Sequence, residues 1–242
     1  MKKKRVLTMI AAMAMTAVVC VGGTLAFLSQ KSNTVTNAVT IGTGYAEDPD
    51  GHHGLFLDET EYQYNEDKKV NEITGDRTED GNTYENLLPT YSFTKDPMVT
   101  MVGGSVQSYV FVKVEGVDGL EAITAPNGSG TVFDIADWNT GDGKAWLKVN
   151  TNGTVADIQE GDGYYVYQGT MATSNIVDVS LETEGSPIQL PEAIFSTLKV
   201  NDVDQMPEQA TVENDAVKVT AYAVQAGVTP QGYAAALAEI TE

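Results

Sequence analysis

The sequence predicts an all-β fold: a jelly-roll-like β-sandwich with a short C-terminal helix and long polar loops. Three observations carry this. Short runs of alternating side chains recur along the chain, clearest at Ser108 to Glu115 (SYVFVKVE) and Val217 to Gln225 (VKVTAYAVQ). Glycine and Asn-Gly pairs punctuate those runs, as hairpin turns require. One stretch alone, near the C-terminus, has helical chemistry. Many short strands with turns between them and a single terminal helix leave a sandwich as the way to bury their apolar faces.

The chain opens with Lys2, Lys3, Lys4 and Arg5, followed by an apolar run of about 16 residues from Val6 to Val21. A run that short fits a secretory leader better than a membrane span. Thr24-Leu25-Ala26 then places small residues where a signal peptidase reads them, so the cut is expected between Ala26 and Phe27. An uncleaved anchor would need the whole of Val6 to Leu28, about 23 residues, to cross with some tilt. Gly22, Gly23 and Thr24 loosen that stretch, and no basic cluster follows it. A lipoprotein cut before Cys20 is disfavoured by Ala17-Val18-Val19, which has no leucine at the third position back. The expected organisation is a signal peptide over 1–26 and a single β-sandwich domain over 27–242, with an N-terminal arm at 27–41. Val35, Val39 and Ile41 of that arm can share one face of a strand.

Removing Met1 to Ala26 from 242 residues leaves 216, enough for a real core. The full chain has 14 basic and 34 acidic residues, a net charge of −20. The leader takes four bases and no acid with it, leaving the mature chain at −24. Such a chain lacks the basic face that phosphate binding needs, which excludes a nonspecific nucleic-acid partner and disfavours an anionic membrane surface after cleavage. The single cysteine, Cys20, leaves with the leader, so the mature chain has no disulfide.

Gly42 to Gly54 reads as a loop, followed by strand-like Leu55-Phe56-Leu57 and Tyr62-Gln63-Tyr64. Asn65 to Asn86 is polar and charged and reads as a mobile excursion. In Ser108 to Glu115, Val110, Val112 and Val114 share one face and are expected in the core; Tyr109, Phe111, Lys113 and Glu115 take the other. Asn127-Gly128 and Asn152-Gly153 are expected turns. Ala145 to Val149, Tyr164 to Gln168 and Ile176 to Leu181 are expected strands. Pro187 to Pro191 breaks the pattern, and Ala193 to Val200 resumes it. Thr229-Pro230 is expected to cap the terminal helix.

Four segments carry a resemblance. They are the leader junction GGTLAFLSQ, the arm NTVTNAVTIG (Asn33 to Gly42), LLPTYSFTKDPMVTMVGGSVQSYVFVKV (Leu87 to Val114), and VKVTAYAVQAG with the alanine-rich helix after it. Together they resemble the TasA/camelysin family of exported Gram-positive proteins. The resemblance implies a jelly-roll sandwich, a leader processed by a SipW-type signal peptidase, and export to the cell surface or extracellular matrix. It also implies assembly with copies of itself into biofilm-matrix fibres, with an anchoring or assembly accessory protein as a further partner. Some relatives are described as metallopeptidases. Asn65 to Asn86 and Ala122 to Thr140 have no counterpart in the family pattern.

The residues offer little catalytic chemistry. The helical His-Glu-x-x-His zinc pattern is absent, and the histidines, His52 and His53, are adjacent. With Asp48, Asp50, Asp58 and Glu59 nearby, they make a weak metal site conceivable; a solvated acidic loop is the plainer account. Asp137-Trp138-Asn139-Thr140-Gly141-Asp142-Gly143 has oxygen donors at alternate positions, but its spacing departs from an EF-hand loop and reads as a Gly/Asp turn. Glu160-Gly161-Asp162-Gly163 reads as another turn. Tyr164 to Tyr167 reads as a strand with one aromatic face in the core rather than a sugar-stacking platform. No serine sits in a nucleophile elbow, and no cofactor is expected. The residues show no catalytic constellation, and the resemblance implies a secreted, non-catalytic structural subunit of a cell-surface or biofilm-matrix fibre. A camelysin-like surface metallopeptidase and a monomeric surface adhesin stand beside that reading.

Overall fold

The computed structural model describes residues 29–31, 44–207, 212, 216–227 and 232–241. The leader, its cut at Ala26 and Phe27, the rest of the arm, and Thr229-Pro230 lie outside the described residues. The elements are β1 (Ser29–Lys31), β2 (Leu55–Asn65), β3 (Val70–Thr78), β4 (Ser92–Thr94), β5 (Met98–Val102), β6 (Ser108–Glu115) and helix α1 (Val117–Glu121). There follow β7 (Phe133–Ala136), β8 (Trp146–Val149), β9 (Gly163–Tyr167), β10 (Ala172–Thr173), β11 (Ile176–Val177), β12 (Pro187–Gln189), β13 (Thr197–Val200), β14 (Lys218–Gln225) and helix α2 (Tyr233–Thr241). The fold is all-β and sandwich-like, with a short C-terminal helix, as the patterning predicts.

A seven-stranded sheet runs β1-β14-β6-β11-β10, with β9 joined to β6 and β8 to β9. A four-stranded sheet runs β12-β5-β2-β3, and a three-stranded one β4-β13-β7. Strands β6 and β14 form the spine of the large sheet. They pair antiparallel over their full length, from Lys218 opposite Glu115 to Gln225 opposite Ser108.

The valine face of β6 lies in the main core, as expected. Val110, Val112 and Val114 pack there with Val219, Ala221 and Ala223 of β14, facing Leu55, Leu57, Val99 and Met101 from the four-stranded sheet. Each of these valine, leucine and methionine side chains contributes about 1.5–3 kcal/mol by burial. The opposite face is buried too, which alternation alone does not reveal. Tyr109 and Phe111 of β6, with Tyr222 and Val224 of β14, form a second cluster under Ala236 and Leu237 of α2. The helix is what turns a one-sided sheet into a two-sided one.

Several expectations change. Leu55 to Tyr64 is one strand, with a register shift between Thr60 and Tyr62, rather than two short runs. The polar stretch from Asn65 to Asn86, read from the sequence as a mobile excursion, contains β3, which pairs along β2 as a hairpin. Pro187 begins β12, a short edge strand on β5, rather than only interrupting the pattern. An edge strand tolerates proline at its first position because that residue needs no ladder N–H. Ile176 to Leu181 is strand only at Ile176–Val177, after which the chain turns. Among the described residues, no helix is long and apolar enough to cross a membrane.

The exit from β6 is fixed by one glycine. Gly116 has φ of 93°, and a Cβ there would lie 2.1 Å from the carbonyl oxygen of Ala216. The Gly116 and Val117 N–H groups both donate to the Asp162 carboxylate, at 3.0 and 2.8 Å. Asp162, read from the sequence as part of a plain turn, thus caps α1 from 45 residues away in the chain.

Candidate functional site

Three places on this scaffold combine polar chemistry with defined geometry. The first is the outer side of β14. The described arm residues pair with it antiparallel: Ser29 with Val224, Gln30 with Ala223 and Lys31 with Tyr222. These three residues thus lie on the large sheet as an added strand, paired through the main chain.

The second is the loop before β2. Asp48 is buried, 7 % exposed, and organises the loop by accepting from the backbone N–H groups of Asp50 and His52. Its other carboxylate oxygen takes the His52 Nδ1 contact at 2.7 Å. His52 Nε2 lies 2.9 Å from Glu79, beyond β3, and its ring stacks on Phe56 at 4.1 Å. Burial opposes charge on the ring, but the Asp48 hydrogen bond and the Glu79 and Asp48 charges outweigh it and raise the pKa above its ordinary value. For Asp48, burial pushes upward, yet the His52 contacts prevail and lower it. His52 is therefore a rivet between two carboxylates, able to donate to both when its ring is protonated.

The sequence-predicted ligands do not converge. His53 faces Glu47 at 3.6 Å, Asp58 binds Arg77 at 2.7 Å, and Glu59 points into the core. Both nitrogens of His52 are taken up by carboxylates. Among the described residues, no group of three His, Cys, Asp or Glu side chains is placed to hold a metal ion. Asp137 and Asn139 are likewise engaged: Thr197 Oγ1 donates to Asp137, and the Ala145 N–H to Asn139. The segment folds as a turn, with the Gly141 N–H on the Trp146 carbonyl at 2.8 Å. Tyr165 and Tyr167 are fully buried, so those two rings offer no stacking platform, while Tyr164 is half-buried against the second cluster. A polar cleft of about 490 Å³ lies nearby, lined by Asn139, Lys144, Gln168, Thr170 and Glu192 among others.

The third place was not legible as a site. Glu59 of β2, Lys95 just after β4, and Asn82 between β3 and β4 meet in the interior, at 5 %, 5 % and 2 % exposure. Lys95 Nζ donates to both Glu59 oxygens, at 2.9 and 3.2 Å. Asn82 Nδ2 donates to Glu59 Oε1 and to the Thr60 carbonyl, each at 2.8 Å. Its Oδ1 accepts the Tyr62 N–H at 2.6 Å. Tyr62, Tyr84 and Phe93 wall this triad, with ring centroids 5.1–5.8 Å apart. Burial first, then the Glu59 charge, holds the Tyr84 phenol above its usual range. Beside the triad, Arg77 spans Asp58 and Asp96.

The chain was compared with protein-family models, with curated proteins and with solved structures, and it matches none of them.

Proposed function

We propose that this chain is an exported structural subunit of a cell-surface or biofilm-matrix fibre, joined to its neighbours by strand addition and without a catalytic role. The observation that carries the reading is the seating of Ser29–Lys31 on β14. A segment just beyond the expected cut, between Ala26 and Phe27, is held on the sheet by an edge ladder. Edge ladders accept any chain of suitable alternation. In a single copy Ser29–Lys31 lie on their own sheet; in the proposed fibre a neighbour's arm takes that place. Export through a SipW-type signal peptidase and an anchoring accessory protein complete the proposal.

Deletion of the arm tests it. Mature protein beginning at Phe27 is expected to form fibres under the electron microscope. Protein beginning at Gly42 is expected to keep its β-rich circular dichroism and form none. Fibres from the shortened protein would show that the arm is not the joint. Mature protein that stays monomeric across salt and pH would favour a surface adhesin.

A further inference from the structure

We propose that Lys95 and Asn82 become joined by an intramolecular isopeptide bond, formed by the folded chain itself with Glu59 as the proton carrier. The requirements are a buried amine, a carboxamide near it, a carboxylate touching both, a donor on the amide oxygen, and burial from solvent. All are present. Lys95 Nζ and Asn82 Nδ2 both donate to Glu59 Oε1, at 3.2 and 2.8 Å, so amine and amide lie within two hydrogen-bond lengths of each other. The Tyr62 N–H, 2.6 Å from Asn82 Oδ1, stands where negative charge would develop on attack. All three side chains are at least nine-tenths buried beside an aromatic wall. An ordinary ion pair gains little from such a site, because desolvation of both charges offsets their attraction. A proton transfer that discharges the pair is favoured by the same dryness.

The step balances without an oxidant or cofactor. Glu59 takes a proton from the Lys95 ammonium. The freed lone pair attacks Asn82 Cγ, and Oδ1 becomes an oxyanion held by the Tyr62 N–H. Glu59 then delivers its proton to Nδ2, the Cγ–Nδ2 bond breaks, and ammonia departs. The proton left on the new amide nitrogen passes through Glu59 to the departing ammonia. One C–N bond forms, one breaks, ammonium is released, and Glu59 ends ionised as it began. Fixed geometry replaces the collision that makes amide exchange between free side chains so slow. The bond would tie the segment after the β2–β3 hairpin to the strand that begins the three-stranded sheet.

Peptide mass mapping of the denatured full chain tests this. The expected result is a branched fragment containing both Asn82 and Lys95, lighter than its two parts by one ammonia. Lys95→Met and Asn82→Ala should give only separate fragments. Asn82→Asp should give the same branch with loss of one water. Glu59→Gln, which keeps the shape, should leave the two fragments unlinked. Folded wild-type protein, verified by circular dichroism and aged for days, overturns the proposal if Lys95 and Asn82 remain in separate fragments of full mass. So does a linear Asn82 fragment lacking ammonia, which would be a succinimide. A branch that persists in Glu59→Gln would remove Glu59 from the chemistry.

Discussion

The His52 rivet makes a stability prediction with a definite sign. A protonated ring donates from both nitrogens, to Asp48 at 2.7 Å and to Glu79 at 2.9 Å. A neutral ring donates from one only. The buried Asp48, its side chain 5 % exposed, keeps that donor, and Glu79, at 39 %, loses it. Because the folded pKa of His52 is raised above 6.5, its contribution is fully present below that value and is lost as pH rises through the folded pKa. Asp48 is lowered below 3.8, so its contribution is present above that value and is lost as pH falls through the folded pKa. The rivet is therefore strongest in the window between the two. Losing the Glu79 contact alone costs about 0.2–1 kcal/mol, the range of exposed pairs. His52→Ala removes both contacts and the stacking on Phe56. It leaves Asp48 with two backbone donors, so the cost should be about 2 kcal/mol, within the range for charged hydrogen bonds. Urea unfolding of wild type and His52→Ala at about pH 6 and about pH 9, with NMR titration of the ring, measures this. Wild type should lose more stability over that interval than the variant. A His52 resonance that titrates at or below its ordinary value, or equal pH slopes in His52→Ala and wild type, would refute the reasoning.

Two further outcomes are expected. Trp146 is 1 % exposed, donates from Nε1 to the Glu192 carbonyl at 3.0 Å and meets Tyr167 edge-on at 5.0 Å, so Trp146→Ala should cost about 3–5 kcal/mol in thermal or urea unfolding. On the proposed reading, copies of a mature chain near −24 repel one another, so light scattering should show faster assembly with added salt, whose screening length is about 8 Å at physiological strength, and as pH falls towards the carboxylate range of about 4. Scattering that responds to neither would count against self-association.

Strands β6 and β14 were legible because their alternation is apolar and long. Strand β3 was not, because an edge strand with little burial has no apolar face to display; Val70–Thr78 is mostly charged or small. The burial of Phe111 and Tyr222 needed the terminal helix as well, which no strand pattern encodes. The Glu59–Lys95–Asn82 triad left a faint trace. Leu55, Leu57 and Glu59 fall on one face of β2, and Phe93 and Lys95 on one face of the chain at β4, so period-two reasoning would have placed both charges inward. The rule that Lys and Glu stay outside unless paired hid them, because the pairing partners lie far apart in sequence. The metal reading of Asp48, His52 and His53 rested on proximity along the chain. The loop instead sends each histidine to a different carboxylate.

The antiparallel seating of Ser29–Lys31 on β14 also sets how that pairing answers to force. Ser29 sits opposite Val224, one residue from the end of β14, so tension entering ahead of Ser29 and leaving after Gln225 acts at the same end of the β1–β14 pair. The ladder is then loaded like a zip, each hydrogen bond bearing the pull in turn, and it opens at low force. A neighbour's strand drawn lengthwise along β14 would load every bond of its ladder at once. On the proposed reading, the same few residues would make a weak closure within one copy and a strong splice between two.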